Sequence, residues 1–293
     1  IADGALELDA PLHSYLPGHA SNDERTKAIT ARHVLSHTSG LPNWRNASQP
    51  LVSDFQPGSR FSYSGEGFYF LQAAVESITG LGIQQVVRRA VFDPLRMTSA
   101  TYAWRDDVPR RLATGHSRGV PRANSAADLS AKLLAHASAI GRALETFTHD
   151  DVRQALSTIP GAPPALPNFM VPNVAGSLVT TPGDYATFVA AILNPSGTGL
   201  TLRGGLRSEM TKPQVALNSQ MAWGLGWGLE TRPGGQPTLW HWGDNGNWKN
   251  FVLAEPSEQS AVIVFTNSAN GMNVAERIVA ACTGADHVAF QWL

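Results

Sequence analysis

Phe61-Ser62-Tyr63-Ser64-Gly65-Glu66-Gly67-Phe68 is the stretch that decides how this chain is read. Pro57-Gly58 marks a turn just ahead of it. Behind it, from Glu66 to Thr79, the apolar residues Phe68, Leu71, Ala74, Val75 and Ile78 recur at helical spacing, and Gly80 stops the run. Tyr63-Ser64-Gly65 therefore stands at the head of a helix. Glu66 falls in its first turn, where a carboxylate complements the helix dipole.

Helical signals continue on either side. Thr30 to His37 is a short helix with Thr30 as N-cap, ended by Gly40. A second helix is expected from Ile83 to about Phe92, and another from Ser125 to Thr148. Residues 104–124, rich in Arg, Gly and Pro, read as loop, and residues 158–174, with five prolines, read as an irregular rim or lid. Thr181-Pro182 opens a helix over Gly183 to Leu193. The last third changes character: Met221–Glu230, Thr238–His241, Asn250–Ala254 and Ala261–Thr266 read as strands, and Val274–Thr283 as a closing helix.

With 293 residues, 43% hydrophobic and 15% charged, the chain can bury a large core and is not disordered. A net charge of -1 and the lack of basic clusters argue against a nucleic-acid partner. No apolar run is long enough for a transmembrane segment. The single cysteine, Cys282, excludes an internal disulfide and is expected as a buried apolar thiol. His33 and His37 stand four apart on a helix, yet no third ligand has suitable spacing, so no metal is expected there. No Gly-x-Ser-x-Gly occurs, which removes the nucleophile elbow of α/β-hydrolases.

Five segments in order carry a resemblance. They are Asp3-Gly4-Ala5-Leu6-Glu7-Leu8-Asp9 with Tyr15-Leu16-Pro17; Ile29 to Leu41 with its Leu35-Ser36-His37-Thr38-Ser39-Gly40-Leu41; Phe61-Ser62-Tyr63-Ser64-Gly65; Ala175-Gly176-Ser177-Leu178 with Thr181-Pro182-Gly183-Asp184; and His241-Trp242-Gly243. Together they resemble the serine β-lactamase-related family of class C β-lactamases, DD-peptidases (penicillin-binding proteins) and family-VIII-type esterases. The resemblance implies an α+β fold, an antiparallel sheet flanked by helices plus a mostly helical subdomain. Residues 1–293 would form one such domain, N-terminally incomplete, with the helical part over roughly 20–210 and the sheet and closing helix over 211–293. It implies acyl transfer to water from an ester or amide, β-lactam and D-amino-acid peptide included, with no cofactor.

That chemistry needs a serine nucleophile, carried in the family by Ser-x-x-Lys. The four lysines, Lys27, Lys132, Lys212 and Lys249, follow Glu24, Leu129, Glu209 and Gly246 by three residues, so the motif is absent from these 293 residues. In the family Asp-Gly-x-Leu-x-Leu-Asp comes directly after the nucleophile helix, so that helix is expected upstream of Ile1. Tyr63 resembles the family's Tyr-x-Asn tyrosine, a general base or proton shuttle if nearby cations lower its pKa from about 10. Gly65 stands where that motif has an Asn that orients the substrate acyl-amide, which favours esters. His241 holds the Lys position of Lys-Thr-Gly, where it would stabilise the tyrosinate or, protonated, bind a substrate carboxylate. Gly243 would let substrate lie against the strand, and the Asp244 N–H would be an oxyanion donor. Trp242, with Trp223, Trp227 and Trp248, would wall an acyl pocket or fill the core.

Three readings follow: an active hydrolase with its serine upstream, exported to the periplasm or secreted as the family is; a pseudoenzyme that binds peptide or glycan; and one chain of a processed two-chain enzyme whose other chain supplies the serine.

Overall fold

The computed structural model describes residues 1–17, 23–45, 49–162, 172–194, 196, 200, 205–231 and 237–293. The chain divides into two units: residues 1–90, 100–111 and 125–179, and residues 91–99, 112–124 and 180–293.

The first unit is built on α3 (Gly65–Thr79). Its apolar stripe, Phe68, Leu71, Val75 and Ile78, packs on Leu12, Leu16, Ile29, Val34 and Leu41. Leu12, Ile29 and Leu41 are wholly buried, each contributing about 1.5–3 kcal/mol. Before α3 come α1 (Glu24–Lys27) and α2 (Ala31–Leu35). Thr30 caps α2 through its side chain, and His33 Nδ1 accepts the Thr30 N–H in return. Gly80 ends α3 at φ 65°. α4 (Ile83–Val87) then loosens into a π-helical turn, Arg88–Phe92.

Residues 104–124 are not all loop: Val108–Arg111 forms α5, a single turn. α6 (Ser125–Ala139) is shorter than expected, because Gly141 takes a left-handed conformation just past it. The sequence reading passed over α7 (His149–Thr158), whose reciprocal cap, Thr148 with Asp151, carries the shorter Asp where the usual signature has Glu or Gln. Arg142 holds Asp151 by two bonds of 2.7 and 2.9 Å and keeps its carboxyl at about 2. Most of the proline-rich rim expected over 158–174 lies outside the described residues.

Gln72 and Glu76, one turn apart on α3, tie these pieces together. Gln72 accepts the Val174 N–H and donates to Pro172 O. Glu76 accepts the N–H groups of Ile83 and His149 and the Gln72 amide.

The second unit is an antiparallel sheet in simple sequential order. Its strands are β3 (Val215–Ala216), β4 (Met221–Trp223), β5 (Gly228–Glu230), β6 (Thr238–Asp244), β7 (Lys249–Glu255) and β8 (Ser260–Thr266). Here they follow a two-residue hairpin, β1 (His116–Ser117) and β2 (Val120–Pro121). The single strand expected over Met221–Glu230 is a hairpin, β4 to β5, folded at Gly226. α8 (Pro182–Leu193), expected in the helical part, packs on the sheet: Val189, Ile192 and Leu193 share one core with Leu229, Leu239, Val252 and Ala254. Alternation sends the neighbouring residues to the other face, where Phe251 stacks on Phe290 of α11 (Ala289–Trp292) and Trp240 meets Trp292. α9 (Leu206–Thr211) and α10 (Gly271–Thr283) complete the unit. Cys282 is exposed, not buried: the buried face of α10 is formed by Ala275 and Val279, and Cys282 turns away from it.

Burial raises the Glu76 carboxyl from 4.5 to about 7, outweighing the N–H donors that favour its charged form. The folded chain thus holds this proton more tightly than the unfolded chain. Its contribution is complete below pH 4.5 and fades as pH rises through about 7. The wild type should lose about 3 kcal/mol from this group between pH 5 and 8. Glu76→Gln should flatten that part of the profile in urea unfolding at the two pH values; an unchanged slope would refute the assignment.

Candidate active site

Tyr63 is placed by α3 and by a strained residue beneath it. His37 adopts φ 53°, a left-handed conformation that histidine tolerates better than most residues at a cost of about 1–2 kcal/mol. Two bonds hold it there: its carbonyl accepts the Ser62 N–H at 2.7 Å, and its Nδ1 accepts the Ser64 N–H at 3.0 Å. The Tyr63 ring stacks on the imidazole at 4.0 Å, with Phe61 and Phe68 around it. Because Nδ1 accepts, this imidazole is neutral with its proton on Nε2. It adds no positive charge beside the phenol. Burial pushes Tyr63 up to about 12, the reverse of the lowered value expected of a base.

The segment 41–45 closes over the first turn of α3. Asn43 Oδ1 accepts the Gly65 N–H and Asn43 O accepts the Glu66 N–H, both at 3.0 Å. Ser64, the N-cap, accepts the Gly67 N–H and donates to Pro42 O. Glu66 accepts the Arg45 N–H and Nε–H at 3.1 and 3.0 Å. The amides that a helix N-terminus leaves open are thus filled from within the chain. Trp44 follows Asn43, and its indole lies on Gly65. A Cβ at Gly65 would stand 2.5 Å from the ring carbons. Gly65 has no unusual φ, so the indole, not the backbone, demands glycine here.

In the second unit, β5 pairs with β6 only up to Trp240. Among the described residues His241 to Asp244 pair with β7 alone, opposite Val252, Phe251, Asn250 and Lys249. His241 and Gly243 lie on the sheet face of Leu239; Trp242 and Asp244 lie on the opposite one. His241 Nδ1 is 2.8 Å from Trp242 O, which fixes the proton on Nδ1 and leaves Nε2 as acceptor. Desolvation lowers its pKa below the ordinary histidine value, so the ring is neutral at neutral pH and the expected imidazolium requires acid. Among the described residues a Cβ at Gly243 would meet nothing nearer than Asn250 Nδ2 at 3.7 Å, an ordinary contact distance.

The Trp242 ring packs on Trp292 at 5.0 Å, while Trp223 and Trp227 are buried in the core. The aromatic set is therefore mainly structural. Trp242 and Asp244 also line a shallow hollow of about 220 Å³ with Lys249, Asn270 and Asn273. Asp244 pairs there with Lys249 and accepts the Gly246 N–H. Trp248 donates from its indole to Ala113 O and anchors the β6–β7 turn.

The profile of the family described as Beta-lactamase matches residues 1–283. The chain belongs to the beta-lactamase family. Esterase EstB of Burkholderia gladioli is 30% identical over 153 residues, 41% of this chain and 38% of that protein. Lovastatin esterase of Penicillium rubens is 27% identical over 151 residues, 38% of either chain. The match thus spans less than two fifths of each relative's own length. A penicillin-binding protein of Bacillus halodurans superposes with a TM-score of 0.68 at 20% identity, covering 97% of this chain and 80% of that one. The fold is that of β-lactamases and penicillin-binding proteins, as the sequence motifs implied, and the family's relatives are hydrolases.

Sequence reading of this beta-lactamase-family chain missed Asn43, Trp44 and Arg45. They act across 21 to 23 residues of sequence, and no periodicity marks such a contact. Replacing glycine by alanine at a helical position normally helps by about 0.5–1 kcal/mol. Beneath Trp44, Gly65→Ala should instead destabilise by about 1–3 kcal/mol through overpacking. In a Trp44→Ala background the same change should become neutral or favourable. A double-mutant cycle by thermal unfolding reads the coupling, and additive effects would exclude the contact.

Proposed function

We propose that this chain carries the tyrosine and His-Trp-Gly elements of a serine hydrolase acting on esters. Its nucleophile would be a Ser-x-x-Lys serine encoded outside these 293 residues. The observation that carries the ester reading is Gly65 beneath Trp44: the position two past Tyr63 offers no amide to a substrate acyl-amide. The esterase relatives support the same substrate class.

In this reading the serine hydroxyl attacks the ester carbonyl and gives up its proton, the C–O bond breaks, the leaving oxygen takes that proton and departs as the alcohol, and water then releases the acid from the acyl-serine. Tyr63 moves that proton. Its phenol is protonated at neutral pH, so it serves as a shuttle that passes the proton on. Neutral His241 offers Nε2 as an acceptor toward a hydroxyl proton. Gly243 keeps its face of β6 open for a substrate, and the Asp244 N–H would serve as an oxyanion donor. Export to the periplasm or medium is part of the proposal.

The full-length protein should take up one fluorophosphonate adduct by intact mass and hydrolyse 4-nitrophenyl esters. Protein that does neither is a binding module. Tyr63→Phe should lower kcat by about 10²–10⁴ with little change in KM. The acid limb of kcat/KM should lie below the ordinary histidine range and disappear in His241→Gln, because protonation of His241 removes the acceptor. A limb that survives that substitution belongs to another group.

A further inference from the structure

The start of α3 presents an unusual surface. A helix N-terminus ordinarily offers free N–H groups to carbonyls and anions. Here the N–H groups of Gly65, Glu66 and Gly67 are taken by Asn43 Oδ1, Asn43 O and Ser64 Oγ. The Glu66 carboxylate is taken by Arg45. What covers Gly65 at the head of this turn is the half-buried Trp44 indole. The face of an indole ring is apolar. A substrate amide placed against it would surrender its bonds to water and gain none. An alkyl or aryl chain would lose only water-exposed area.

We infer that Trp44 is a specificity-determining residue: its indole selects apolar acyl groups, such as alkanoyl and arylalkanoyl esters, against acyl groups that carry an amide. The inference rests on the ester-hydrolase reading above and names its substrate class. The half-buried indole, seated on Gly65, acts as the wall. Segment 41–45 fixes the wall, since the bonds of Asn43 and Arg45 on either side hold Trp44 in place.

The test uses the full-length enzyme with 4-nitrophenyl hexanoate and 4-nitrophenyl acetate. Trp44→Ala should lower the hexanoate-to-acetate ratio of kcat/KM by about tenfold or more. The loss should fall mainly on KM for the longer ester. Trp44→Phe should retain most of the ratio. An unchanged ratio in Trp44→Ala that still cleaves acetate overturns the inference. A second measurement does not depend on turnover: calorimetric titration with heptan-2-one, the unhydrolysable ketone counterpart of the hexanoyl group. Tighter binding by the wild type than by Trp44→Ala, by about tenfold, supports the wall. Equal binding overturns it. If the wild type cleaves neither ester, the hydrolase reading fails, and the titration alone decides on Trp44.

Discussion

The first turn of α3 has more polar groups to satisfy than its own residues can supply, and the segment 41–45 exists in its observed form to supply them. Asn43 accepts two N–H groups, Pro42 accepts the Ser64 hydroxyl, and Arg45 meets Glu66. Each bond to a neutral group is worth about 1 kcal/mol net, and a helix start left without partners would lose more than that. Once Asn43 and Arg45 are fixed, Trp44 between them has nowhere to go but onto the helix. Gly65 is the only residue that leaves it room. One requirement of backbone chemistry thus sets a loop path, a glycine and the surface beside the candidate catalytic tyrosine.

The same region limits what Tyr63 can do alone. With its pKa at about 12, forming the tyrosinate at pH 7 costs about 7 kcal/mol. A cation about 4 Å away recovers about 4 kcal/mol at an effective dielectric of 20. A single lysine therefore leaves the phenol mostly protonated, poised to pass a proton rather than to stand as a base. His37 does not change this balance. Its Nδ1 accepts from the backbone, so the ring is neutral and contributes shape and position only. The left-handed backbone at His37 is the cost of placing that ring under the phenol.

Much of the fold was legible because its signals are local. The α3 stripe, the Thr30 and Thr181 caps, the stop at Gly80 and the three long strands all declare themselves within a few residues. Where the reading went astray, tertiary packing decided. Cys282 sits in a small-residue run that looks buried, but only one side of α10 meets the sheet. α8 is apolar enough for a helical bundle and packs on strands instead. At the site, the motifs placed Tyr63 and His241 on their elements. The charge state of each depended on burial and on which ring nitrogen meets which backbone group, and no spacing records that.

The sheet adds a second constraint of the same kind. Strand β5 is three residues long and its pairing ends at Trp240, so among the described residues β6 runs on past it with only β7 beside it. Period-two alternation then sorts the motif: Trp242 turns toward Trp292 and becomes packing, while His241 and Gly243 share the other face. A tryptophan between the histidine and the glycine is thus compatible with an open face at Gly243, because the bulky ring is spent on the opposite side. The motif His-Trp-Gly works as a unit for that reason. The aromatic ring fastens the overhanging strand from one face, and the residues before and after it are left to meet whatever approaches the other.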